Sequence, residues 1–360
     1  MADTTVSTAV RAKQWDDGFF KEYVRGNAYK RYMGQNESSI FQVKTDLAKK
    51  KGDAITINLV GALSDSAPND GSTTLVGNEK ALPNEGHQIK VDVVRDATVV
   101  NVMEEQASPF DIRDAGKSAL KVLATRHLRN AITTALGSIN GVAYATASAA
   151  QKNAWTAANS DRVLFGHLAS NYNATHATAL NAITAAETLD RATVSKLKAI
   201  ARSAKAANGE GITPHIYGED HETYVLFVGT RAFRDLKLDM ASVLAEAEKR
   251  GKENPLFTGG NSLWWDDVII REVPSIGAFN NTAASPIPVE PMYLCGAQAV
   301  GIAWAMTTKT TLRKEDDYGF KHGVGFMEIR GVEKLQWKEG DAAAKDWAVV
   351  TGYVSAPAAA

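Results

Sequence analysis

The chain has 360 residues, 44% of them apolar, and a formal net charge of −1. That is enough for one large domain or two to three ordinary ones with a sizeable core, and it argues against a dedicated nucleic-acid binder. It holds no apolar run long enough to span a membrane, its N-terminus (MADTTVSTAVRAKQWDD) lacks the apolar centre of a secretory signal, and its single cysteine, Cys295, excludes an internal disulfide framework and points to a reducing compartment.

Residues 1–50 mix Trp15, Phe19, Phe20, Tyr23, Tyr29, Tyr32, Met33 and Phe41 with nine basic and six acidic residues, a net of +3. Aromatic side chains in a polar segment need something to bury against. Two readings stay open, a cap on the chain's own core and an arm packed on a neighbouring subunit. Residues 54–60 (AITINLV) and 87–102 (HQIKVDVVRDATVVNV) alternate with the period of strands. The Gly-, Asn-, Asp- and Ser-rich connection between them is far longer than a hairpin loop and cannot bury enough apolar surface to fold alone. Residues 52–87 set Lys80 against Asp53, Asp65, Asp70, Glu79 and Glu85, a net of −4. The pattern predicts a long acidic hairpin projecting from the body.

From Ser108 to Gly137 one long helix is predicted, about 28 residues and roughly 42 Å. Ser108 and Pro109 suit its start, Asp111 completes a capping-box-like pattern, and Gly137 suits its end. Ile112, Ala115, Ala119, Leu120, Leu123, Ala124, His127, Leu128, Ala131, Ile132, Ala135 and Leu136 recur at helical spacing. Such a helix is a beam along which other elements are laid. Residues 139–187 are Ala/Asn/Thr-rich and read as a peripheral, loop-rich insertion with short helices. A second helix is clear at 188–208, with Val194, Leu197, Ala201 and Ala204 inward and Lys196, Lys198, Arg202 and Lys205 outward. A strand (223–229), a helix capped by Thr230, a short helix (ASVLAEAEKR) and a strand at Val268–Val273 follow. The apolar stretch 291–305 suits a central strand pair or a bent strand. Residues 325–337 alternate again, and residues 341–360 read as a frayed tail.

Chemistry is sparse. There is no dinucleotide or phosphate loop and no HExxH, so no cofactor or metal is indicated. His215 and His221, with Glu219, Asp220 and Glu222, match no recurring zinc spacing and read as a polar turn. The pairs Glu104-Glu105, Asp266-Asp267 and Asp316-Asp317 flank strands, where neighbours point to opposite faces. Cys295 reads as a buried small hydrophobe. No positive case for an enzyme emerges.

The order of arm, hairpin, beam helix and mixed lobe resembles the Hong Kong 97-type major capsid protein of tailed phages. Its podophage-type branch is resembled by DRVLFG (161–166), ATVSKLKAIARSAK (192–205), TRAFRDLKLD (230–239), NPLFTGG (254–260), DDVIIREVPSI (266–276) and YLCGAQAVGIAWA (293–305). The resemblance spans roughly residues 10–337 and implies an α+β fold: an N-arm (1–50), an extended E-loop hairpin (51–105), the spine helix of a P-domain (106–138), an A-domain (139–305), strands returning to the P-domain (306–340) and a tail (341–360). It implies a shell subunit assembled as hexamers and pentamers around double-stranded DNA, located in the virion and, during assembly, in the host cytoplasm. Its implied partners are copies of itself, a separate scaffolding protein, a portal, a decoration protein and packaged DNA contacted non-specifically, with no membrane. Trp15, Phe19, Phe20, Tyr23, Lys50, Lys51, Asp65, Asp70, Glu79 and Glu85 are then the expected inter-subunit contacts, and the opposite charges of arm and hairpin would steer them together. Some relatives cross-link Lys to Asn, but no reactive pair stands out here. Two other readings stand beside this one: an encapsulin-like compartment shell, told apart by protein rather than DNA inside, and a soluble α+β enzyme, told apart by a monomer with a closed ligand pocket. The shell reading requires that the first fifty residues and residues 52–87 do not simply fold back on their own body.

Overall fold

The computed structural model describes residues 27–45, 52–63, 74–108, 112–204, 211–217, 221–241, 243, 262–313, 320–338 and 343–358. The chain enters through a short 3-10 turn and two strands, β1 (Met33–Gly34) and β2 (Phe41–Lys44). Tyr29, Tyr32, Ile40 and Phe41 are buried in the main core. So residues 27–45 are not arm: of the two readings, the cap on the chain's own core applies to them. The reason is aromatic complementarity, since the rings of Tyr29, Tyr32 and Phe41 all meet Phe227, Tyr29 edge-on at 5.0 Å.

β3 (Ala54–Val60) and β4 (Asn84–Lys90) form the expected antiparallel hairpin. The alternating run beyond it is broken at Val91. The continuation, β5 (Asp92–Asn101), belongs to a different sheet, so the hairpin ends near residue 90 rather than 105. Asn101 then caps a short helix, α1 (Val102–Ala107), its Oδ1 accepting from the Glu104 amide. Ser108 is the C-terminal cap of α1, and Pro109 and Asp111 lie outside the described residues. The long helix, α2, runs Ile112–Leu136. Its buried stripe is Leu120, Ala124, Leu128, Ile132, Ala135 and Leu136, whereas Ala115 and Ala119 in its first turns are exposed. The beam is therefore buried along its C-terminal half only.

The Ala-rich stretch folds into α3 (Ala149–Ala158), with a full Ser148–Gln151 capping box, then β6 (Val163–Phe165) and α4 (His176–Asn181). Its short helices are as expected, but it is no loose insertion: Trp155, Phe165, Ala179, Leu180 and Ile183 make a second core with Val289 and Tyr353. α5 (Arg191–Ser203) starts at the Asp190 cap and buries Val194, Leu197 and Ala201. β7 (His215–Tyr217) pairs with β8 (His221–Val228). α6 (Thr230–Asp239) has Gly229 at its cap, so Thr230 is its first residue, not its cap. Most of the ASVLAEAEKR segment lies outside the described residues. β9 (Ser262–Trp265), β10 (Val268–Glu272), β11 (Phe279–Asn280) and β12 (Pro288–Cys295) follow.

β13 (Val300–Arg313) and β14 (Lys321–Lys334) are each 14 residues long and pair antiparallel. β15 (Gln336–Trp337) and β16 (Lys345–Asp346) make a small ladder, and β17 (Val349–Ser355) closes the series. The strands sort into a five-stranded sheet, β1-β2-β13-β14-β5, and an eight-stranded sheet along β6-β17-β12-β8-β10-β9. Two expectations fail here. The apolar stretch 291–305 is split between the sheets by the turn at 296–299, so the boundary expected at 305/306 falls inside β13. And the expected tail holds β17, a fully buried strand between β6 and β12. A continuous run such as VVTGYVS is what a strand buried on both faces needs. α2 packs on β14, β5 and β13, and one core runs from it into both sheets.

Candidate inter-subunit surfaces

The β3–β4 hairpin has one anchored face. Ile55, Ile57, Leu59 and Ile89 are buried against Ala303, Leu335 and Trp337 of the same chain. Gly301 makes this possible: a Cβ there would lie 2.4 Å from Ile89 Cδ1 and 2.6 Å from Ile57 Cδ1. The base of the hairpin thus folds back on its own body, contrary to the expectation of a fully projecting arm. Its far end does not. Leu63, Leu75, Val76 and Leu82 are all more than half exposed, Val76 at 85%. The turn there satisfies itself locally, the Gly77 amide donating to Glu79 Oε2 at 2.7 Å and the Asn78 amide to the Leu75 carbonyl at 3.0 Å. The turn thus bonds to itself while it carries Leu75 and Val76 outward.

Of the expected contact residues, Glu79 is exposed at this turn and Glu85 is half-buried opposite Leu59 in the ladder. Trp15, Phe19, Phe20, Tyr23, Lys50, Lys51, Asp65 and Asp70 lie outside the described residues. The sequence reading missed a second exposed apolar region, at the other end of α2. Val99, Val102, Met103 and Val122 are exposed there, Met103 at 66%. Of these, Val122 lines a cleft of about 450 Å³ between α2 and β5, together with Thr98, Gly116, Leu120 and Arg126. Gly116 allows this approach, since a Cβ on it would sit 3.0 Å from Thr98 Cγ2. Exposed valines on a strand's outer face were the available signal, but half of any amphipathic pattern looks the same.

A buried ionic knot joins the end of β14 to α3 and the start of β6. Asp346 Oδ2 accepts from Lys334 Nζ at 2.6 Å and from Trp155 Nε1 at 3.1 Å, and its Oδ1 accepts from Gln336 Nε2 at 3.1 Å. Arg162 Nη1 donates to the Asp346 carbonyl, and the Asp346 amide donates to Asn159 Oδ1 at 2.8 Å. Both charged side chains are 1% exposed, and the ammonium sits 5.2 Å from the Trp155 ring.

Two other buried groups titrate abnormally. His176 is enclosed by the rings of Tyr144, Trp155, Phe165 and Tyr353. Thr156 Oγ1 donates to the Lys152 carbonyl, so it accepts from His176 Nδ1–H at 2.8 Å. Nε2 then accepts from the Tyr144 hydroxyl at 2.9 Å. Burial, helped by Lys152, lowers the imidazole from 6.5 to about 4. Glu290 on β12 reaches the start of α6, where its Oε2 accepts from the Ala232 amide at 2.7 Å, and burial raises it from 4.5 to about 7. The signs are opposite. The His176 contribution is present above pH 6.5 and lost as pH falls toward 4; the Glu290 contribution is present below pH 4.5 and lost as pH rises through 7. Each is worth roughly 3 kcal/mol over its window at about 1.4 kcal/mol per pH unit. Between pH 4.5 and 6.5 they offset each other. His176→Gln should therefore gain stability as pH falls across that window, and Glu290→Gln should lose it. Denaturant midpoints measured against pH check this; parallel slopes for the two variants would refute it.

Enzyme-like candidates are absorbed by structure. His215 Nδ1 lies 2.7 Å from the Ser38 carbonyl, while Glu219 and Asp220 lie outside the described residues. Among the described residues no cluster of three metal-ligating side chains exists. Asp266 and Asp267 do not point apart as strand neighbours would. They form the tight β9–β10 turn, at φ 48° and 54°, and Lys198 Nζ holds both carboxylates at 2.8 Å. Cys295 is buried, and burial pushes its thiol up, away from reactivity.

A family model for phage capsid proteins matches residues 3–358. Among solved structures, the chain is similar to the cyanophage Pam1 capsid, with 36% identity over 100% of both chains and a TM-score of 0.80. It is also similar in fold to the capsid of Ralstonia phage GP4, at 19% identity and a TM-score of 0.73, covering 92% of this chain and 91% of that one. The head structure of Helicobacter pylori bacteriophage KHP40 is similar at 14% identity and a TM-score of 0.63, with 92% and 91% covered. No curated protein sequence matches.

Proposed function

The chain belongs to the phage capsid protein family, and from that membership we propose how this major capsid protein is joined to its neighbours in the head shell. The exposed end of the β3–β4 hairpin packs on an adjacent copy, with Leu75 and Val76 as its apolar contacts. The observation that carries this reading is the contrast within one hairpin: a base sealed by Ile57, Leu59 and Ile89, and a far end whose described residues Leu63, Leu75, Val76 and Leu82 are more than half exposed. A rigid base with an unburied tip is preorganised for a neighbour. The net +3 of the first fifty residues, most of it carried by Lys30, Arg31 and Lys44 on the segment packed against the core, attracts the acidic hairpin of a neighbouring copy. Hexamers and pentamers around double-stranded DNA, a separate scaffolding protein, a portal and a decoration protein complete the proposal, with assembly in the host cytoplasm and residence in the virion.

The charge argument has a direct test. Asp65→Asn, Asp70→Asn, Glu79→Gln and Glu85→Gln together should slow shell assembly by about tenfold at low salt. The deficit should shrink as salt is raised, because screening already weakens the wild-type attraction. Light scattering gives the rates and negative-stain microscopy the products. Assembly at the wild-type rate and salt dependence would refute steering by these carboxylates. Shells that close around protein instead of DNA would favour a compartment.

A further inference from the structure

β5 is the outer strand of the five-stranded sheet, and among the described residues no strand lies on its other side. Its sequence, DVVRDATVVN, is rich in β-branched residues and has no proline. A strand like this with an open edge is a template for adding another chain. The edge is not bare, however. The Val93 amide donates to Asp92 Oδ1 at 2.7 Å, and the Ala97 amide donates to Asp96 Oδ1 at 3.0 Å. An antiparallel strand sends alternate residues' amides to opposite sides, so these two, four residues apart, share a side. The Val102 amide donates to the Phe320 carbonyl in line with the β5–β14 register, so even-numbered amides face β14 and those of Val93 and Ala97 face the open side. The outward side chains between and beside them, Val93 and Val99, are about half exposed.

We propose that Asp92 and Asp96 guard this edge against a second copy of the chain. They act twice. Each carboxylate occupies an amide that an incoming strand would need. Each also puts a negative charge on the rim. In an antiparallel β5–β5 pairing centred on Val94, Asp92 of one copy faces Asp96 of the other at both ends, and like charges directly opposed across a ladder repel. A shell protein accumulates at high concentration before it assembles, so an unguarded edge would divert subunits into open-ended strand stacking. This inference concerns the unassembled chain and does not depend on how the hairpin is used in the shell.

The test uses the full-length unassembled subunit. Held below the concentration at which wild type assembles, Asp92→Ala/Asp96→Ala should self-associate in sedimentation velocity and bind thioflavin T, with wild type doing neither there. Adding Val93→Pro, which removes an amide from the open side, should restore wild-type sedimentation. A double variant that sediments as wild type overturns the proposal. Should the double variant fold poorly, hydrogen exchange on the wild-type chain decides. Corrected for intrinsic rates, the Val93 and Ala97 amides should exchange about tenfold more slowly than those of Arg95 and Val99. Equal protection at all four positions removes the guard.

Discussion

Replacing Asp346 with alanine should lower the unfolding free energy by roughly 3–5 kcal/mol, because it leaves a buried ammonium without its counter-charge. Lys334 is 1% exposed, so no water replaces the lost carboxylate. The same substitution strips the acceptor from Trp155 Nε1, a further unmet donor in the core, whereas Gln336 Nε2 keeps its bond to Asn140 Oδ1. The cost is one of leaving partners stranded, not the net worth of the pair. Lys334→Met/Asp346→Leu, which removes both charges, should therefore cost clearly less than Asp346→Ala alone. Denaturant titration of the three proteins measures this. An Asp346→Ala variant within 1 kcal/mol of wild type, or a double variant no better than the single, would sink the argument.

Tyr29→Ala should cost roughly 3–5 kcal/mol as well, by a different route. The ring is fully buried between Phe41 and Phe227, edge-on to both at 5.2 and 5.0 Å. Its hydroxyl lies 2.9 Å from Thr133 Oγ1, which in turn donates to the Arg129 carbonyl on α2 or shares its proton with Ser275. Tyr29→Phe removes only that bond, so it should cost about 1 kcal/mol. The difference between the two variants is the packing contribution. If Tyr29→Phe proved as costly as Tyr29→Ala, the hydroxyl network and not the aromatic cluster would be what ties residues 27–45 to α2.

The elements readable from sequence were those whose stabilising contacts repeat. α2 showed its stripe from Leu120 to Leu136 because the same face is buried turn after turn, and β3 showed its alternation because only one side of AITINLV is covered. The shell assignment was legible for the same reason, through the order of such elements. What stayed hidden depends on partners distant in sequence. Asp346 meets Lys334, Arg162 and Trp155 at separations of 12, 184 and 191 residues, and no spacing rule links an acid to those three. β17 reads as part of a frayed tail because Ala and Pro follow it, although VVTGYVS alone has the β-branched content of a central strand. For Tyr29, Tyr32 and Phe41 the sequence leaves both burial sites open, own core or neighbour, because their partner, Phe227, lies far along the chain. Of the candidate contact surface, the acidic hairpin was readable from its charge. The region around Met103 and Val122 was not, because only the three-dimensional fold tells which apolar face goes uncovered.

The position of β17 sets a limit on synthesis. Among the described residues β6 has its ladder partner in β17 alone, and β12 has β17 on one side, so no earlier described strand completes the eight-stranded sheet. While residues 349–355 are still inside the ribosome, β6 has no neighbour and the Phe165–Tyr353 stack does not exist. A nascent chain therefore holds this lobe unfinished until residues 349–355 have emerged, which delays lattice building until then.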